Sequence, residues 1–146
     1  MKYDQSSYTI SLRSIWPYGR GYRTHDGNIS HHWWFCVKLK KLMMSDDIIN
    51  GINNKTIPDN EKFIKMDYVD ITKLEIDYLQ MKNRTDLIEL CLSKGENNFD
   101  IEFNKMIDYF PELKKQYYKY ETAMLYRNAE EWCKKNGISY KCDTSL

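Results

Sequence analysis

Between Tyr18 and Trp34 the stretch YGRGYRTHDGNISHHWW holds all three histidines of the chain, His25, His31 and His32, together with Arg20, Arg23 and four aromatic rings. Imidazole has an unperturbed pKa near neutrality, so two histidines can take and give a proton within one reaction. A guanidinium grips phosphate oxygens bidentately, and Trp16, Tyr18, Tyr22 and Trp33 offer faces on which bases stack. The inventory fits metal-independent cleavage of RNA through its own 2′-hydroxyl. His25 would work with His31 or His32 as base and acid, while Arg20 or Arg23 stabilises charge on phosphorus. RNA binding, or capture of a nucleotide phosphate, uses the same residues without the proton transfer.

The spacing does not single out that chemistry. Adjacent residues of a strand point to opposite sides, so only one of His31 and His32 can serve with His25. His25, His31, His32 and Cys36 carry metal-ligating atoms, yet their intervals match no zinc pattern, and the expectation is no metal and no cofactor. The glycines of GRGYRTHDG stand at the wrong intervals for a phosphate or dinucleotide loop, and no G-x-S-x-G elbow occurs. Glu75 and Asp77 alternate as paired carboxylates might, but Lys73 beside them suggests a mixed, solvated surface. The balance leans away from an enzyme.

Tyr, Trp and Arg are also what protein interfaces use at their hot spots. The expected binding set is Trp16, Tyr18, Arg20, Tyr22, Arg23 and Trp33 from the loop, with Tyr118 and Tyr126 as the outward tyrosines of the last helix. The leading expectation is a small cytoplasmic protein that acts by binding a macromolecule, in the manner of an inhibitor or immunity-type protein that neutralises a toxin or defence factor. The alternative is a metal-independent ribonuclease or RNA-binding protein using the Arg/His-rich loop 18–34.

Charge is uneven along the chain. Residues 1–44 carry seven Lys/Arg against two acids, and the remainder carries fifteen against nineteen. The basic third is where RNA or a nucleotide phosphate would bind, although a protein partner is favoured over nucleic acid. The start MKYDQSSYTISLRS lacks the apolar core of a signal peptide, and no run is long and apolar enough to span a bilayer as a helix, so no membrane role is expected. Four cysteines without a C-x-x-C pair read as reduced, mostly buried thiols. The abundance of Ile, Lys, Asn and Tyr beside two alanines points to AT-rich coding.

At 146 residues, 42% hydrophobic and 29% charged, the chain has the size and composition of a single domain, 1–146. SYTISLRSI alternates like a strand, and so does HHWWFCVKLK, with Trp33 and Phe35 on one face and Trp34 and Cys36 on the other. These two strands are expected to pair antiparallel across a long connection, residues 16–31. Ser45 opens a short helix through about Asn53. KFIKMDYVDI and KLEIDYLQ read as two neighbouring strands, and residues after Thr85 as a helix ended by Gly95. NFDIEF turns helical from about Asp100. Pro111 breaks the chain and starts a helix to Asn136, whose stripe runs through Leu113, Tyr117, Tyr120, Met124, Leu125, Ala129, Trp132 and Cys133, with Gly137 as its stop. ISYKC adds a last short strand. The predicted fold is α+β, a mostly antiparallel sheet of about four strands with helices packed on one face and a long C-terminal helix.

Overall fold

A computed structural model describes residues 10–142 apart from Asp59. The fold is α+β, with a long helix near its C-terminal end. In chain order the elements are β1 (Ile10–Ser11), α1 (Leu12–Ile15), β2 (Arg20–Arg23), β3 (Ile29–Ser30), β4 (Trp33–Cys36), β5 (Lys41–Met44) and α2 (Ser45–Asn53), then β6 (Phe63–Lys65), β7 (Val69–Asp70), α3 (Ile71–Met81), α4 (Thr85–Leu92), α5 (Phe99–Ile107), α6 (Pro111–Lys135) and β8 (Tyr140–Lys141). The strands divide among three small sheets, ordered β1-β8, β3-β2-β7 and β5-β4-β6.

The described residues fall into two compact units, one from residues 10–19, 31–68 and 126–142, the other from 20–30 and 69–125. In unit 1, β4 pairs antiparallel with both neighbours, setting Trp34 opposite Met43 and Lys65 and Cys36 opposite Lys41 and Phe63. Residues paired in this way share a face. The opposite face, led by Phe35, enters a core with Leu12, Ile15, Met66, Ala129, Trp132, Cys133 and Ile138. Trp132 meets Phe35 edge-on with ring centroids 5.9 Å apart, and its indole N–H donates to the Lys65 carbonyl at 2.9 Å. Gly137 stops α6 at φ 66°, a left-handed conformation that a side chain resists, and turns Ile138 back into this core.

Unit 2 is built on Tyr78, Leu79, Leu87, Cys91, Phe99, Phe103, Met106, Ile107 and Tyr117. The Tyr117 ring lies 4.8 Å from Phe103 and 5.2 Å from Tyr78, whose hydroxyl donates to the Leu113 carbonyl at 2.8 Å. Strand β2 pairs antiparallel with β3 and parallel with β7, directly before α3.

Several expectations change. KLEIDYLQ is helical within α3: the buried set Ile71, Leu74, Glu75, Tyr78 and Leu79 follows steps of three and four, and Asp70 caps the helix by accepting from the Lys73 N–H. Leu74, Ile76 and Tyr78 satisfy a period of two only because a short window cannot separate the two periods. KFIKMDYVDI splits into β6 and β7, which belong to different sheets. The second strand ends at Cys36, because Val37–Lys40 turn with Lys40 at φ 57° and leave Leu39 half exposed. The first strand pairs parallel with β8, not antiparallel with β4, and gives way to α1 at Leu12. Its Tyr8 and Thr9 lie outside the described residues. The supposed loop 16–31 contains the β2–β3 hairpin, closed where Thr24 N–H donates to the Asn28 carbonyl at 2.7 Å and Gly27 takes φ 89°.

Gly51 of α2 sits under the loop that follows the helix, its carbonyl accepting from the N–H groups of Thr56 and Ile57 at 2.9 and 3.0 Å. A Cβ there would fall 2.4 Å from Cδ1 and 2.8 Å from Cγ1 of buried Ile57. Gly51→Ala should therefore lose stability: overpacking costs about 1–3 kcal/mol, and the helix propensity gained by alanine returns about 1 kcal/mol. A net loss of about 1 kcal/mol in urea unfolding checks it.

Candidate functional site

Both arginines of the loop are engaged by carboxylates. Arg20 donates to Glu121 Oε1 from Nε at 3.0 Å and from Nη2 at 2.8 Å. Arg23 donates to Asp70 Oδ2 from Nε and Nη2 at 3.1 and 2.8 Å, and its Nη1 contacts Glu96. The hydrogen bond to Asp70, more than any other influence, raises the Arg23 pKa above its ordinary value. Asp70 is also the cap of α3, so Arg23 ties β2 to a helix terminus. The guanidinium contacts that would grip phosphate are spent inside unit 2. Tyr22, on the same strand, is exposed, and His25 lies on the exposed hairpin turn with its carbonyl accepting from the Asn97 amide at 2.9 Å.

The other two histidines belong to unit 1. His31 is buried, its Nε2 2.7 Å from the Tyr18 carbonyl. A carbonyl only accepts, so Nε2 carries the hydrogen and Nδ1 the lone pair; Nδ1 is buried without a hydrogen-bond partner. Burial pushes the imidazole pKa below its ordinary value, against the hydrogen bond to Tyr18. The ring is held neutral and walled by Tyr68 at 5.2 Å. His32, one residue on, is exposed. The Trp33 ring lies 4.4 Å from the ring of Tyr18, and both Trp33 and Trp16 pack on the unit 1 core instead of standing open as stacking faces. Tyr18 and Tyr118 are part-exposed, Tyr118 under the Lys114 ammonium at 5.9 Å. Tyr126 corrects the expectation of an outward tyrosine: it is buried in the unit 1 core, because the apolar stripe of α6 widens to include it beside Leu125 and Ala129. No three His, Cys, Asp or Glu side chains gather as metal ligands among the described residues.

Two features were not foreseen. The first is an apolar cavity of about 260 Å³ in unit 1, lined by Trp34, Ser45, Ile48, Ile49 and Phe63. Strand register supplies two walls, since Trp34 and Phe63 project from the same sheet face, and α2 supplies Ile48 and Ile49. The Trp34 indole N–H donates to Ser45 Oγ at 3.0 Å and Lys65 Nζ lies 5.8 Å over the ring, which fixes the aromatic wall. Ile49 is 55% exposed at this cavity. The sequence signal was the pair Ile48-Ile49, of which the core of one short helix face needs only one.

The second is a buried carboxyl cluster in unit 2. Glu75 is 1% exposed and Glu121 8% exposed, which overturns the solvated surface expected for Glu75; on a helix Glu75 and Asp77 no longer share a face, and Asp77 alone is exposed. Burial, followed by the neighbouring Asp100 carboxyl, pushes the Glu75 carboxyl up to about 11. The same physics keeps two thiols protonated, desolvation raising Cys91 to about 11 and Cys133 to about 12; Cys36 is also buried and Cys142 is exposed. No family model, curated protein or solved structure matches this chain.

Proposed function

We propose that the chain is a protein-binding module in which the cavity beside Trp34 receives an apolar side chain of the partner. The observation that carries this reading is the cavity itself: four apolar walls, a single hydroxyl, and at about 260 Å³ a size below the range of small-molecule sites, about 300–1,000 Å³. Such a site has no set of convergent polar groups to orient a reacting metabolite, but it suits an anchor residue of the kind that dominates interface energy. Trp34 offers a fixed wall and Ile49 an exposed lip, so little ordering is needed on binding. An inhibitor or immunity-type role is the narrower form of the same reading, since occluding a toxin or defence factor requires only such a surface. The ribonuclease alternative draws less support, because its arginines are held by Glu121, Asp70 and Glu96 and His31 is buried.

Ile49→Asp tests it. The position is exposed, so stability should move by less than about 0.5 kcal/mol. The immobilised wild type should retain a protein that, once purified, binds the chain in calorimetry with a negative heat-capacity change, and Ile49→Asp should lose it by a factor of ten or more. Equal binding by the variant would remove the cavity from the interface. Cleavage of RNA by the wild type and not by His25→Ala would replace the reading with the catalytic one.

A further inference from the structure

The carboxyl cluster of unit 2 has more acid than its cations can neutralise. Glu75 of α3 is 1% exposed, and its burial together with the acids Asp100 of α5, Glu121 of α6 and Asp70 at the α3 cap opposes its ionisation. Arg20 is taken by Glu121, and Arg23 by Asp70 and Glu96. The remaining groups facing the cluster are Tyr22 of β2, Tyr117 of α6 and Cys91 of α4; all three have raised pKa values and none supplies positive charge. Glu75 Oε1 and the Tyr117 hydroxyl are buried without hydrogen-bond partners.

A carboxyl enclosed among other acids, with no cation and no hydrogen-bond donor at its Oε1, is driven to hold a proton. Its place follows from the neighbours. Asp100 lies in the first turn of α5, where the helix dipole favours an anion, and its Oδ1 already accepts from the Asn104 amide at 3.1 Å. Glu75 has neither advantage and is the more deeply enclosed. We propose that unit 2 folds around a captured proton, held on Glu75 as a neutral carboxylic acid, taken up from solvent when the unit closes and released when it opens.

The linkage has a definite sign. An unfolded glutamate ionises near pH 4.3. Above that pH the open chain lacks the proton that the closed unit holds, so stability falls as pH rises, about tenfold in the folding constant per pH unit, and levels off only near the folded value of about 11. Below about pH 4 the contribution is constant. The device makes opening of unit 2 sensitive to alkalinity. His31 works in the opposite direction, since its folded pKa is lowered, and its effect is confined to pH values near and below its ordinary 6.5.

Urea unfolding of the full chain between pH 7 and 8.5 tests the proposal. The wild type should lose about a factor of ten in the folding constant per unit through this group, and Glu75→Gln should flatten the slope by one proton. Equal slopes in the two proteins would overturn the proposal, as would a slope abolished by Asp100→Asn and kept in Glu75→Gln. Should Glu75→Gln not fold, infrared spectroscopy of the wild type decides. A carboxylic-acid carbonyl band present at pH 8 and lost in urea is the expected result, and its absence from the folded protein is the overturning one.

Discussion

Trp132→Ala should leave the chain largely unfolded at 37 °C. The indole is fully buried, packs edge-on against Phe35 in the centre of the unit 1 core, and donates to the Lys65 carbonyl at 2.9 Å. Truncating a buried tryptophan costs about 3–5 kcal/mol, and leaving the carbonyl unpaired costs about 1–3 kcal/mol more. Domain stabilities are about 5–15 kcal/mol in total, so this one residue holds a large share of what is available. Trp132→Phe separates the two contributions: it keeps a ring for Phe35 but not the donor, and should lose about 1–3 kcal/mol. Circular dichroism during urea unfolding reads both variants without relying on tryptophan emission. If alanine cost less than phenylalanine, the core would have to be arranged otherwise.

Arg23→Ala should weaken the fold by about 2 kcal/mol, between the 0–1 kcal/mol of a surface pair and the 3–5 kcal/mol of breaking a buried one. The intermediate value follows from side-chain exposures of 17% for Arg23 and 24% for Asp70, which leave the pair partly hydrated. Asp70→Asn should cost less, because asparagine can still accept from the Lys73 N–H and cap α3. A double-mutant cycle over the two should return a coupling of about 1–2 kcal/mol that shrinks in high salt. The same variant discriminates functions. If Arg23 instead served to grip phosphate, Arg23→Ala would leave stability unchanged and abolish retention on a phosphate-bearing resin.

Where local rules decide structure, the sequence could be read. The break at Pro111, the stripe of α6 and the stop at Gly137 follow from the period of the apolar residues and from backbone geometry, and all stand in the structure. The helices α2 and α5 were similarly legible, although Ser45, expected as the cap of α2, is its first helical residue and Met44 takes the cap position. Helix α3 is hidden because its capping Asp70 is also the last residue of β7, and Leu74, Ile76 and Tyr78 alternate by chance within the helix. The site eluded the sequence for a different reason. Arg20 finds its acid 101 residues away and Arg23 finds its acids 47 and 73 residues away, so both looked like surface cations. Glu75 looked solvated for want of the knowledge that α5 and α6 would close over it, and the cavity required Trp34, Ile49 and Phe63 from three separate elements.

The indole of Trp34 gives the chain a native optical label. Trp132 is sealed and Trp16 and Trp33 lean on the core, whereas Trp34 borders open space with its N–H tethered to Ser45. An incoming aliphatic group would dry one side of that ring while the other three keep their surroundings, so ultraviolet emission from unmodified material can follow complex formation with no dye attached.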